Sequence, residues 1–346
     1  MPQLVDWDLA VTLGIKTARR GPTVEIEQAR SVVTGLRTAA LRAVDPVREV
    51  TGLVAEREVP VLVVDRASWI RANVATFQTV LEPVEESAPE PSSALVREVG
   101  QALTAVEIGA VLGWLSGKVL GQYDLIGPAA GPGAGVGRLL LVAPNVLAAE
   151  QAMGVDGHDF RLWVCLHEET HRVQFGAAPW LRSFLLDGVA ELVSALAADP
   201  AQLLERIKTA ASALARGGGD VDLLTVALSP EQMAQAERLV AVMSLLEGHA
   251  DVVMDEVGPT VVPSVGQLRE RMERRRSSPG AVDSVVRRLL GMDAKLRQYR
   301  DGARFVRAVV GRVGMSGFNV VWQGPEQVPT AAEIADPDLW VDRVHA

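Results

Sequence analysis

The segment Cys165-Leu166-His167-Glu168-Glu169-Thr170-His171 constrains this chain more than any other. It holds the pattern H-E-x-x-H in a sequence with only 5 histidines. Side chains four apart on an α-helix share a face, about one turn from each other. A helix here aims both imidazoles at one point, which is what a shared metal ion requires. Glu168 falls between them, off the ligand positions, where its carboxylate can take a proton from a metal-activated water. The flanks predict that helix. Asp156-Gly157 can start it, Phe160, Trp163, Val164 and Leu166 recur at helical intervals, and Gly176 with Pro179 stops it.

Two histidines do not complete a catalytic metal site, which usually takes three protein ligands and one water. No histidine follows the motif at metzincin spacing, so the third ligand is an acid or His249. Glu247, in Leu245-Leu246-Glu247-Gly248-His249-Ala250-Asp251, is the leading candidate. Its apolar flanks make an unpartnered carboxylate costly, and Gly248 lets another backbone approach. Asp251, one turn on, is placed to hold a ligating histidine by its second nitrogen. Asp187 and Glu191 compete, one turn apart on the helix after the motif. His249 falls on nearly the opposite face from Glu247, so if Glu247 binds metal, His249 is free to line the pocket instead.

Composition narrows the class. The chain has 346 residues, 48% hydrophobic, 22% charged and only 4% aromatic, which predicts a mostly helical, aliphatic core. A net charge of -9 argues against nucleic acid or an anionic membrane as the main partner. The single cysteine, Cys165, excludes a disulfide framework within the chain and points to a reducing cytoplasm; it reads as a buried small hydrophobe. Acids near the N-terminus speak against export, and Glu107 and Lys118 make the apolar stretch Leu103 to Leu120 a core helix rather than a membrane span.

Along the chain, helices are predicted over 23–57, 67–81 and 94–121, with a short strand or extended entry at 60–65 and a Pro- and Glu-rich connector at 82–93. The loop 127–137, rich in glycine, proline and alanine, carries neither phosphate-binding pattern. A strand follows it, Arg138 to Ala143. This is either a core strand or one that offers its backbone to an extended peptide. Further helices are predicted over 180–198, 201–215 and 281–312. Another opens at the capping box of Ser229-Pro230-Glu231-Gln232 and runs to about Val257. The arginine-rich run Leu268 to Arg276 reads as a solvated face. The segment 314–324 is expected to fold back onto the core, with two short helical turns in 329–344. The chain is expected to form one unit, 1–346, with sub-divisions 1–93, 94–260 and 261–346.

The segments Leu166 to Phe175 and Pro179-Trp180-Leu181-Arg182 resemble the central block of a family of zinc-dependent metalloproteases from actinobacteria and their relatives. Members are often described as hydrolases and linked by name to deazaflavin-coenzyme biosynthesis. The resemblance extends to Val5-Asp6-Trp7, Gly121-Gln122-Tyr123-Asp124, Glu247 to Asp251, Leu296-Arg297-Gln298-Tyr299, Gly317-Phe318-Asn319 and Asp336 to Val344, nearly the whole chain. It implies an α+β fold, predominantly helical and zincin-like, with a small sheet beside the H-E-x-x-H helix. The Glu-Gly-x-Ala block is similar to the gluzincin helix whose Glu is the third ligand, which favours Glu247, although the distance from His171 exceeds the usual gluzincin spacing.

The resulting expectation is a cytoplasmic zinc metallopeptidase acting on a peptide or small amide. His167, His171 and Glu247 hold zinc, Glu168 is the general base, and Tyr123, Tyr299 and His249 are candidate oxyanion donors. The alternative is a binding or scaffold protein whose metal site is structural, closed by a fourth ligand such as Asp251 or His249.

Overall fold

The computed structural model describes residues 4–55, 59–87, 93–127, 137–197, 229–277 and 292–346. In chain order its elements are α1 (Trp7–Thr17), α2 (Ile26–Thr51), β1 (Val61–Val64), α3 (Arg66–Ser87), α4 (Ala94–Leu115), β2 (Gly121–Asp124), β3 (Arg138–Val142), α5 (Ala143–Met153), α6 (Gly157–Ala177) and α7 (Trp180–Ala197). They continue with α8 (Pro230–Val261), α9 (Val265–Ser277), α10 (Met292–Phe318), α11 (Ala331–Ala335) and α12 (Pro337–His345). This is the mostly helical α+β architecture expected, with one small sheet among the described residues. The helix predicted over 201–215, residues 281–291 of the one predicted over 281–312, most of the loop 127–137 and residues 88–92 of the connector 82–93 lie outside the described residues.

The chain divides into two compact units. One comprises Met1–Glu85, Pro89–Pro179 and Ala250–Ser278; the other comprises Glu86–Ala88, Trp180–His249 and Pro279–Ala346. The helix α8 runs continuously as far as Gly258, whose φ of 66° marks a kink. The helix α3 does not stop at the connector predicted from residue 82. It continues through Pro83 to Ser87, its last turn held by buried Val84 and by the Leu4 N–H, which donates to Glu85 Oε1 at 2.9 Å.

In the first unit the strand order is β1-β3-β2, β3 pairing parallel with β1 and antiparallel with β2. The strand β3 is therefore central, and the reading that it offers its backbone to a peptide is wrong: both its edges are already bonded. Its side chains alternate between two cores. Leu141 joins α2, α5 and α6, while Leu140 and Val142 join α1, α3 and α4.

The strand β2 was expected to be the end of a helix and is instead an edge of the sheet. Gln122 and Asp124 point one way. The Gln122 Oε1 accepts from Trp69 Nε1 at 2.6 Å and its amide donates to Asn73 Oδ1 at 3.0 Å, while Asp124 pairs with Arg138 at 2.8 Å and accepts from the Thr76 hydroxyl at 3.0 Å. These bonds satisfy buried polar groups that would otherwise destabilise a strand in this position. Gly121 and Tyr123 are left for the other face, that of α6.

The helix α9 is not wholly a solvated face. Arg269 pairs with Asp255 at 2.6 Å and donates to the Asp251 carbonyl at 3.0 Å, and Arg271 bonds the Met153 carbonyl. Arg274, exposed, pairs along its own helix with Glu270 at 2.7 Å.

In the second unit, α8 and α10 meet through two glycines. A Cβ built on Gly248 would lie 2.2 Å from the Gly302 carbonyl carbon, and one on Gly302 would lie 2.0 Å from the Ser244 oxygen. Here the backbones touch, as the sequence reading of Gly248 anticipated. The capping box predicted at Ser229 opens α8: Gln232 N–H donates to Ser229 Oγ, and Ser229 N–H to Gln232 Oε1. Phe318 and Trp322 fold into this unit's core, Trp180 Nε1 donating to the Trp322 carbonyl at 2.8 Å. The two short helices of the C-terminal segment are α11 and α12, the first closed by a Thr330–Glu333 capping box.

Candidate metal centre

The helix α6 begins where the sequence placed it, with Asp156 accepting from the Asp159 N–H at 2.9 Å. Arg161 forks onto Glu150 at 2.7 and 2.8 Å, a bidentate pair that ties α6 to α5. Phe160, Leu162, Val164 and Leu166 are buried, and Cys165 sits under the Leu36 carbonyl of α2. Burial, added to by the charges of Glu168 and Glu169, pushes the Cys165 thiol above its ordinary range, so it stays protonated as a small core hydrophobe. Glu169 is also buried. Its desolvation raises its pKa, and the hydrogen bond and charge of Arg172 offset only part of that.

The helix is thus buried on more sides than its sequence implied, and His167 and His171 stand on the face that is only half-buried. Their Nε2 atoms are 3.1 Å apart, with the rings at 88° and centroids separated by 4.7 Å. His167 and His171 offer two ligand atoms from α6, and Glu247 is an acid of α8 that could supply a third. Past the turn of Glu247, α8 places Val253, Met254 and Val257 in the same core as Val164 and Leu166.

The competing acids are elsewhere. Asp187 and Glu191 are exposed on α7, and Glu191 accepts from Gln235 Nε2 at 3.1 Å. His249 is fully buried in an aromatic cluster, its ring 5.2 Å from Phe318 and 5.4 Å from Trp322. Asp251 is half-buried one turn past Glu247 and does not join the ligand group. The Tyr123 ring stacks on Phe175 at 5.1 Å, and its hydroxyl lies against Gly137. Tyr299 falls on α10, but its side chain is outside the described residues. A second cluster, Asp156, His158 and Asp159, is largely exposed and already engaged: Arg42 bonds His158 Nε2 at 2.7 Å, and Asp159 accepts from the Ser264 hydroxyl at 2.6 Å.

Two residues of this region escaped the sequence reading. Gly121, on β2, sits directly over Glu168: a Cβ there would lie 2.5 Å from the Glu168 carboxyl carbon and from Oε1. The absence of a side chain lets the strand backbone come down onto the carboxylate. Gln174 places Oε1 2.9 Å from His171 Nδ1. The i, i+3 spacing from His171 to Gln174 was a visible signal for that second contact; nothing in the sequence announced the first.

No curated protein matches this chain. A solved structure from Chloroflexus aurantiacus, described as "a putative hydrolase with a novel fold", is similar to it, with 31% identity, a TM-score of 0.69, and 99% of each chain covered. The sequence profile of the zincin-like metallopeptidases matches residues 5–341, nearly the whole chain. With the H-E-x-x-H helix and its small sheet in place, this protein belongs to the zincin-like metallopeptidase family.

Proposed function

We propose that the chain is a zinc-dependent hydrolase of peptide or small amide bonds, with His167, His171 and Glu247 as ligands and Glu168 as general base. The two histidine nitrogens held 3.1 Å apart on α6, in a chain whose family match spans residues 5–341, carry the reading. The site fits zinc on its own geometry. Tetrahedral bonds of ordinary Zn–N length set two ligating nitrogens about 3.3 Å apart, and the two Nε2 atoms are 3.1 Å apart. Two imidazoles and one carboxylate are also the donor set of a catalytic, three-ligand zinc site.

Zinc bound there would lower the pKa of a water molecule and polarise the scissile carbonyl. The chain's own residues do the rest. Glu168, buried beneath Gly121, takes the proton of the attacking water and passes it to the leaving amine. The edge strand β2 packs against α6, and we propose that an extended substrate lies alongside it. A net charge of -9 disfavours nucleic acid as a partner, and the lone cysteine is consistent with a cytoplasmic location. Among the described residues no helix is long and apolar enough to cross a membrane. The likeness to actinobacterial proteins with a nominal link to deazaflavin-coenzyme biosynthesis says nothing of the substrate.

Metal analysis of protein purified without chelator is expected to give one zinc per chain. Glu168→Gln should keep that zinc and lose roughly 100-fold or more of peptide or amide hydrolysis. Protein with no bound transition metal, or a Glu168→Gln variant as active as wild type, would overturn the proposal.

A further inference from the structure

Gln174 lies one turn beyond His171 on α6 and is fully buried. The His171 ring is engaged at both nitrogens, Nδ1 at 2.9 Å from Gln174 Oε1 and Nε2 at 3.1 Å from His167 Nε2. An amide oxygen only accepts, so the first contact requires the proton to be on Nδ1. A neutral imidazole has one proton, and Nε2 is then left with its lone pair directed at the point where the ligand atoms converge.

We propose that Gln174 is a positioning residue that fixes the tautomer and ring orientation of His171, so that Nε2 is the ligating atom. The inference rests on the metal-dependent reading above and deepens it. If the amide were turned the other way, its NH₂ would donate to Nδ1, the proton would sit on Nε2, and the ligand lone pair would be lost. The hydrogen bond and the metal site therefore demand the same amide orientation, which is the one in the structure. Because His171 and Gln174 are three apart on one helix, this half of the centre is set as soon as α6 forms. Glu247 is brought in by a different helix and relies on tertiary packing. An acceptor on the second nitrogen of a ligating histidine also raises its basicity, and removing one typically weakens metal binding roughly 10- to 100-fold.

The test compares Gln174→Met, which keeps the volume and removes the acceptor, with Gln174→Glu, which keeps an acceptor at the same reach. Zinc affinity is read by competition with a chromophoric chelator, and ligand geometry by the visible absorption of the cobalt(II)-substituted protein. Gln174→Met should lose roughly 10- to 100-fold in zinc affinity and show an altered cobalt spectrum, while Gln174→Glu should hold both near wild type. Long-range ¹H–¹⁵N NMR on the zinc-loaded wild type reads the tautomer with no variant at all, and should show His171 protonated at Nδ1. That measurement keeps the proposal testable if a variant does not fold. Unchanged affinity in a folded Gln174→Met, or a His171 found protonated at Nε2 or bound through Nδ1, would overturn it. A wild-type protein that binds no zinc would instead overturn the underlying functional reading.

Discussion

Gly248→Ala tests the packing that carries Glu247. The added methyl would meet the Gly302 carbonyl carbon at 2.2 Å and the Ala303 nitrogen at 2.5 Å. Both are backbone atoms in a helix, so no side-chain rotation relieves the clash. Ordinary contact needs α8 and α10 to separate by more than ~1 Å, and overpacking of this kind costs about 1–3 kcal/mol. Against that stands the helix-propensity gain of alanine over glycine, about 1 kcal/mol. With rigid backbone on the far side the clash should lie at the upper end, for a net loss of about 2 kcal/mol. That corresponds to a fall in Tm of roughly 4–8 °C. Gly311→Ala on α10 is the matched control: its Cβ meets nothing within 4 Å, so only the propensity gain remains, and Tm should hold or rise. Calorimetry on the metal-free proteins measures both, and chelator competition should show weaker zinc binding in Gly248→Ala, since Glu247 rides on the displaced turn. If Gly248→Ala melts at or above wild type, the glycine contact does not govern this helix pair.

Gly121→Ala should disturb the proposed base without unfolding the chain, because the atom it strikes is the movable end of Glu168. A carboxylate pushed aside by ~1 Å is expected to lose on the order of 100-fold in kcat/KM. Zinc content should be unchanged, and activity within twofold of wild type would refute the role given to that glycine. Acid should weaken the C-terminal segment through Glu333. Burial works to raise this carboxyl, but the bidentate Arg343 guanidinium and the Thr330 N–H and hydroxyl outweigh it and hold the pKa below the usual range. Its stabilisation is therefore complete above the unfolded carboxyl value of about 4.3 and is lost as pH falls through the lower folded value. Glu333→Gln should be less stable than wild type at pH 7, and the gap in Tm should close below roughly pH 4; a gap independent of pH would count against the charge.

What could be read from the sequence was local. Asp156 as a cap, the apolar spacing of α6 and the Ser229–Gln232 box each involve residues within a turn of each other, and all three appear as written. Glu247 stands out in the sequence for another reason: a carboxylate among Leu245, Leu246 and Ala250 demands an explanation even before its partner is known. The misreadings concern partners distant in sequence. The strand Gly121–Asp124 has two polar residues and a glycine in four positions, a composition that reads as the end of a helix. Trp69, Asn73 and Thr76, more than forty positions upstream on α3, together with Arg138 on β3, satisfy its polar face. The central place of β3 likewise depended on pairings with β1 and β2 that no local pattern encodes.

The choice between an open and a closed site turns on what remains for a fourth ligand. His249 was one candidate, but its ring is packed among Phe318 and Trp322, and Asp251 does not join His167, His171 and Glu247. On the proposed reading three protein groups hold the ion, and a tetrahedral ion with three protein ligands has one position left for water. Glu168, 5% exposed, stands between the two histidines on the same helix, where the proposed function gives it the role of base. Gly121 compounds the case, since a side chain there would displace that carboxylate. On the proposed reading, the acid kept beside the two histidines, with backbone fitted over it, serves proton transfer.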